Sequence, residues 1–79
     1  MDNENKYINC FVEALSVDKS IVNDKLKYNE IPEWDSIGHM TLISNLEEAF
    51  GISFETDDIV EFSSYKKGID LLKNYKINI

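Results

Sequence analysis

The sequence predicts an all-α fold, a small four-helix bundle with three longer helices, one short third helix and a long first loop. Apolar residues recur along most of the chain with the period of a helix. The chain lacks runs of alternating apolar and polar residues flanked by hairpin turn pairs, which is the pattern that indicates β-strands. At 79 residues the chain is expected to form a single domain, 1–79, with one buried layer and little room for an enzyme cleft.

The first predicted helix runs from about Asn3 to Ser16. Its apolar residues lie at helical spacing and define one buried stripe: Ile8, Phe11, Val12 and Leu15. Cys10 lies off this stripe, and it is expected to be an ordinary small residue because no second thiol or nearby His suggests reactivity.

The loop that follows, Val17 to Trp34, is long for a compact domain and must pack through its own side chains. It has apolar residues for this purpose: Val17, Ile21, Val22, Leu26, Ile31 and Trp34. Asp18 is suited to cap a single helical turn. Pro32 favours an extended Ile31 and so a loop that stops just before the next helix.

The second predicted helix, about Ser36 to Phe50, divides into two arcs at about 100° per residue. The arc that faces the core contains His39, Leu42, Ile43, Leu46, Ala49 and Phe50. The opposite arc contains Ile37, Met40, Thr41, Ser44, Glu47 and Glu48. Two exposed apolar side chains, Ile37 and Met40, are therefore expected in an acidic setting, an arrangement suited to a partner. Gly51 is expected to end the helix in a left-handed conformation.

The third predicted helix is short. Thr56 is expected to cap it, with Asp57 and Asp58 at its positive end. Either serine of the Ser63-Ser64 pair then caps a last helix that ends near Tyr75. Its apolar stripe contains Tyr65, Ile69 and Leu72. A glycine inside this last helix, Gly68, costs about 1 kcal/mol relative to Ala.

The charge of the chain bears on its partners. Asp and Glu number 15, the eight basic residues are all Lys, and the net charge is −7. This charge argues against nucleic acid or an anionic membrane as a partner and favours basic protein surfaces. The acidic residues are concentrated between Lys27 and Lys66, an interval without Lys or Arg. Such a segment is either a solvated surface that keeps the protein monomeric or a docking surface.

Several classes of protein are disfavoured by the sequence. The N-terminal segment is polar and acidic, and no apolar run reaches membrane-spanning length, so we expect a cytoplasmic protein without membrane insertion. A single cysteine, Cys10, excludes an intrachain disulfide and a Cys and His zinc cluster. The Asp57-Asp58 pair lacks the alternating oxygen ligands and loop glycine of an EF-hand, so no metal site is expected.

A motif stands at the start of the second predicted helix. Either Asp35 or Ser36 could cap that helix, an effect of about 1 kcal/mol, and capping alone accounts for the pair. However, Trp34-Asp35-Ser36-Ile37, followed by Leu46-Glu47-Glu48-Ala49-Phe50-Gly51-Ile52, resembles the acyl carrier protein family. The signature of that family is Asp-Ser-Leu at the start of a helix that ends in a Leu-Glu-Glu-x-Phe-type run. Length, helix order, long first loop and acidic second helix agree with it over nearly the whole chain.

The resemblance implies a cofactor and partners. Ser36 would carry 4′-phosphopantetheine, derived from coenzyme A, with an acyl cargo held as a thioester on its thiol. Asp35 matches the family's aspartate, which implies recognition by a phosphopantetheinyl transferase. A phosphodiester at a helix N-terminus is compatible with the helix dipole. Acyl-loading, synthase or acyltransferase enzymes with basic docking patches would contact a surface formed by Ile37, Met40, Glu47, Glu48, Asp57, Asp58 and Glu61.

Some residues depart from the family pattern. Ile37 replaces the usual Leu, Trp34 precedes the aspartate, and Gly38, Thr41 and Ser44 are uncharged, which favours a carrier for a dedicated pathway. The cargo stays open among fatty acid, polyketide, aminoacyl and sugar-modification pathways. An aminoacyl or peptidyl carrier is an alternative, although the Gly-Gly-[His/Asp]-Ser-Leu form is absent.

Two further alternatives belong to other classes. A cofactor-free acidic helical interaction module would explain the acidic face equally well. A catalytic pair of Ser36 and His39 is disfavoured because His39 lies on the apolar arc and no Gly-x-Ser-x-Gly elbow is present. We therefore predict that the protein is not an enzyme and has no catalytic residue.

Overall fold

The computed structural model describes residues 2–79, which form four α-helices and one short 3₁₀ helix. The helices are α1 (Asn3–Leu15), α2 (Ser36–Phe50), α3 (Thr56–Glu61) and α4 (Tyr65–Lys73), and the 3₁₀ helix spans Lys19–Ile21 in the loop between α1 and α2. The described residues contain no β-strand beyond an isolated antiparallel bridge between Lys27 and Ser64. The predicted all-α bundle, with its short third helix and long first loop, is confirmed.

Side chains cap three of the four helices by accepting a hydrogen bond from a backbone N–H of the first turn. The pairs are Asp2 with Asn5, Asp35 with Gly38 and Ser64 with Lys67, at 2.9, 2.8 and 3.0 Å. Gly51 ends α2 with a φ of 65°, as predicted. The exception is α3, which follows Glu55 without a side-chain cap, so Thr56 is its first residue rather than its cap.

An aromatic cluster forms the centre of the core. The ring of Phe11 packs against Tyr7, Trp34 and Tyr65 at centroid distances of 5.0, 5.3 and 5.7 Å, and against Phe62 at 6.3 Å. These rings come from α1, the long loop, the segment after α3 and α4. Phe11 therefore joins α1 to the long loop, to the segment after α3 and to α4, and aromatic pairs of this kind contribute about 0.5–1.5 kcal/mol beyond their buried area.

The buried face of α1 is broader than the predicted stripe. Ile8 and Val12 are only half-buried, whereas Tyr7 and Cys10 are buried. The prediction that Cys10 lies off the buried face is wrong, because its Sγ faces α2 and donates to the carbonyl oxygen of Asn45 at 3.7 Å. α1 packs against α2 on this side and reaches α4 through Tyr7, so both flanks of the stripe are covered.

The long loop is held across the bundle by buried side chains. Val22, Leu26 and Trp34 are buried, as their apolar character predicted. Ile21 is the exception, with 37% of its surface exposed. Asp18 stabilises the 3₁₀ helix through its backbone carbonyl, which accepts from Ile21 N–H at 3.2 Å, and not through the predicted side-chain cap.

At Gly68, side chains of other elements approach the backbone of α4 closely. A Cβ atom at this position would overlap the Tyr7 hydroxyl and the Phe62 ring. Close packing of these rings therefore offsets the low helix propensity of glycine. α4 ends at Lys73, two residues before the predicted end, and the chain continues through a turn to a half-buried Tyr75.

Candidate functional site

Ser36 is exposed and is the first residue of α2. The capping role belongs to Asp35, whose Oδ1 accepts from Gly38 N–H at 2.8 Å and whose carbonyl accepts from His39 N–H at 2.8 Å. The Oγ atom of Ser36 is therefore not used as a cap. It lies 3.5 Å from the hydroxyl oxygen of Tyr28.

The first turn of α2 suits an attached anionic group. The N–H groups of Ser36 and Ile37 have no acceptor within the helix, because no helical turn precedes the first turn. Gly38 allows the loop to pass tightly over this turn, since a Cβ there would overlap the carbonyl oxygen of Glu33. An exposed Oγ beside unpaired N–H groups and the positive end of the helix dipole fits a phosphate-linked group.

A chain of two hydrogen bonds lies behind Ser36. The buried indole of Trp34 donates from Nε1 to Nδ1 of His39 at 2.9 Å, and Nε2 of His39 is 2.9 Å from the carbonyl oxygen of Ile59. Because Nδ1 accepts, the proton must reside on Nε2, which donates to Ile59. His39 is half-buried, as predicted for a packing residue, and links the loop, α2 and α3.

A groove of about 240 Å³ opens between the long loop, α2 and α3. Aromatic and aliphatic side chains form most of its walls, and the lining residues are Tyr28, His39, Ile59, Val60, Phe62 and Ser63. Since Tyr28 both lines the groove and contacts Ser36, the groove begins beside the candidate attachment atom.

The apolar part of the predicted partner surface is exposed. Ile37 is 78% and Met40 53% exposed on the outer face of α2. Val60 on α3 is 77% exposed, and the sequence reasoning missed it. A helix of six residues is too short for its period to distinguish outward from inward positions, so little in the sequence could have identified Val60.

The five predicted acidic contact residues divide into two groups. Glu48, Asp57 and Glu61 are exposed, and Glu61 lies 3.8 Å from Lys67 Nζ. Glu47 is half-buried, and its Oε2 accepts from the Phe54 N–H at 2.8 Å. Asp58 is also half-buried and accepts from the hydroxyl of Tyr75 at 2.5 Å. Glu47 therefore holds the segment between α2 and α3, and Asp58 holds the C-terminal segment. The sequence did not reveal these structural roles.

Residues 2–79 bring together no group of three or more His, Cys, Asp or Glu side chains that could hold a metal ion. In the same part of the chain, every helix falls short of the length and apolarity needed to span a bilayer.

The fold and site define a small helical bundle that presents an exposed serine at a helix N-terminus beside an acidic face. No model of a known protein family matches the chain. It is similar to the acyl carrier protein of Lactobacillus johnsonii (strain CNCM I-12250 / La1 / NCC 533), with 24% identity over 72 residues. The similarity covers 91% of this chain and 90% of that protein, so it extends over most of the helices described above.

Proposed function

We propose that this protein is a carrier protein, which holds acyl intermediates as thioesters on a 4′-phosphopantetheine arm attached to Ser36 and delivers them to biosynthetic enzymes. The observation that carries this proposal is the exposed Oγ of Ser36 at the start of α2, released from capping by Asp35. The similarity to an acyl carrier protein over nearly the whole chain supports it.

In this function, the role of the chain itself is to present the attached arm to partner enzymes. When bound, the arm supplies a terminal thiol that forms the thioester. In the attachment step, Ser36 Oγ forms a bond to phosphorus, the pyrophosphate bond of coenzyme A breaks, 3′,5′-ADP leaves, and the hydroxyl proton passes to a base of the transferase. The first turn of α2 then accommodates the negative charge of the phosphodiester. Asp35 fixes this turn and is our candidate for recognition by the transferase.

Partner enzymes would dock on the outer face of α2 and on α3. Exposed apolar side chains, Ile37, Met40 and Val60, lie there together with the exposed carboxylates Glu48, Asp57 and Glu61. Complementary charge speeds encounter with basic patches and limits wrong partners more than it raises affinity. Fast release suits a protein that visits several enzymes without catalysing a reaction itself.

Intact mass after incubation with coenzyme A and a broad-specificity phosphopantetheinyl transferase tests the proposal. Wild type should gain the mass of one arm, and Ser36→Ala should gain none. Ser44→Ala is a matched control, because Ser44 is another exposed serine of α2 and its loss should leave the addition unchanged.

The proposal fails if wild type gains no mass, a result that would favour a cofactor-free interaction module. It also fails if Ser36→Ala is modified like wild type. The mass of the load on the arm, measured on protein from native cells, then separates an acyl cargo from an aminoacyl or peptidyl cargo.

A further inference from the structure

We propose that Tyr28 is a phosphate-binding residue, whose hydroxyl donates a hydrogen bond to the phosphodiester on Ser36 and holds it beside the groove. This inference rests on the proposed function, because it requires the arm to be attached at Ser36. It is carried by the approach of the Tyr28 hydroxyl to within 3.5 Å of Ser36 Oγ, across eight residues of the chain.

The position of Tyr28 is fixed by its backbone and by its ring. Its N–H donates to the carbonyl oxygen of Ser63 at 2.9 Å, next to the bridge that joins the loop to the start of α4. Its ring packs edge-on against Trp34 and His39, at centroid distances of 6.0 and 5.3 Å. The phenol is therefore held in place before any group is attached, which lowers the entropic cost of binding.

The hydroxyl of Tyr28 is available for a new acceptor. A separation of 3.5 Å is long for a hydrogen bond between two hydroxyl groups, which usually measures about 2.7–2.8 Å. Tyr28 is 38% exposed, so its oxygen is not sealed in the core. A phosphate oxygen bonded through Ser36 Oγ would be a charged acceptor and would form a stronger hydrogen bond than the serine hydroxyl does.

A neutral donor is suited to this part of the chain. Glu33 and Asp35 flank the motif, and the interval between Lys27 and Lys66 supplies no Lys or Arg. A phenol can donate to the phosphodiester without being drawn into ion pairs with these carboxylates. Because Tyr28 is also a wall of the groove, this hydrogen bond would hold the root of the arm at the groove's mouth.

The ³¹P NMR spectrum of the arm-loaded protein tests the inference without any measurement of activity. In the wild type we expect a ¹H–³¹P Overhauser contact between the phosphorus and the ring protons of Tyr28. In Tyr28→Phe, which keeps the ring and removes the hydroxyl, the phosphorus resonance should shift and narrow as the phosphodiester becomes more mobile. Thr41→Val is the control, because the Thr41 hydroxyl is exposed on the same helix but donates to the Ile37 carbonyl.

Each outcome has a distinct meaning. An arm-loaded wild type without the Overhauser contact, or with the same phosphorus shift and line width as Tyr28→Phe, would overturn the role of Tyr28 and leave Ser36 as the attachment site. Absence of any mass increase in the wild type would instead overturn both proposals. If Tyr28→Phe does not keep the helical circular dichroism of the wild type, the Overhauser measurement on the wild type decides alone.

Discussion

The indole nitrogen of Trp34 donates to Nδ1 of His39 at 2.9 Å, and this contact determines which nitrogen of the imidazole carries the proton. The opposite nitrogen then donates to the carbonyl oxygen of Ile59 at 2.9 Å. One side chain thus connects the long loop to α3 through α2. Since His39 and Ile59 also line the groove, these two hydrogen bonds set the position of its walls.

His39→Leu should destabilise the protein, because it removes the acceptor of the buried Trp34 N–H and the donor to Ile59. A buried polar group without a partner costs about 1–3 kcal/mol, and we expect the free energy of unfolding to fall by that amount. Urea titration followed by the fluorescence of Trp34, the single tryptophan, measures it. Met40→Leu on the exposed face of α2 should not change the midpoint. Equal midpoints for His39→Leu and wild type would contradict the structural role.

The sequence predicts the parts of the fold that depend on local patterns. The bounds of α2, Ser36–Phe50, follow from its start signal and helical period, and Gly51 ends it as expected. The exposure of Ile37 and Met40 follows from the same period. The buried face of α1 was predicted less well, because its width depends on which helices cover its flanks.

Contacts between separate elements account for the rest of the site. The approach of Tyr28 to Ser36 requires the loop to be fixed to the start of α4 by its backbone bridge, which no helical period reveals. The same holds for Glu47, whose side chain reaches the Phe54 N–H beyond the end of α2. Single-sequence patterns identify the proposed attachment residue, Ser36, but not the residues that surround it in space.

Gly38→Ala should destabilise the start of α2. A Cβ atom at residue 38 would overlap the carbonyl oxygen of Glu33 and lie 3.0 Å from the Leu15 side chain, so the loop would have to shift. Overpacking of this kind typically costs about 1–3 kcal/mol, and urea unfolding should show a loss in that range. Ser44→Ala, at an exposed position of the same helix, serves as the control. Retention of full stability would mean that the loop yields without cost.

Charge reversal should weaken the docking of partner enzymes only at the exposed carboxylates of α2 and α3. Replacing Glu48 and Asp57 with Lys should raise the KM of the phosphopantetheinyl transferase for this protein several-fold at low salt. The difference in KM from the wild type should shrink as salt screens the charges. Replacing Glu13 and Asp70 with Lys makes the same change of net charge on α1 and α4 and should have little effect. An equal rise for both pairs would indicate a response to net charge instead of a docking surface.

Glu47→Gln distinguishes a structural carboxylate from a docking carboxylate. Its hydrogen bond to the Phe54 N–H is charge-assisted, so the neutral amide should lower the free energy of unfolding by about 1 kcal/mol. Glu48→Gln, one residue further along and exposed, should leave it unchanged. Urea titration of both variants provides the comparison, and equal stability of the two would show that the Glu47 contact contributes nothing.

Cys10 should resist alkylation until the protein opens. Burial, followed by repulsion from Glu13, raises the pKa of its thiol to about 11. This shift lowers the reactive thiolate fraction at neutral pH about a hundredfold, and burial also blocks access. Iodoacetamide should label Cys10 slowly in buffer and rapidly in urea, as followed by intact mass. Fast labelling of the folded protein would contradict the packing of α1 against α2.

Tyr7 should make the protein sensitive to alkali. Burial, with repulsion from Tyr65 and Cys10, raises the pKa of the Tyr7 phenol well above its ordinary value in the folded state. The folded state therefore favours the neutral phenol, so this stabilisation is complete below the unfolded pKa of about 10 and is lost as pH rises through the folded pKa. Tyr7→Phe removes the 2.6 Å hydrogen bond to the Tyr65 carbonyl and should cost about 1 kcal/mol at neutral pH. Its urea midpoint should nevertheless fall less steeply above pH 10 than that of the wild type, and parallel curves would contradict this assignment.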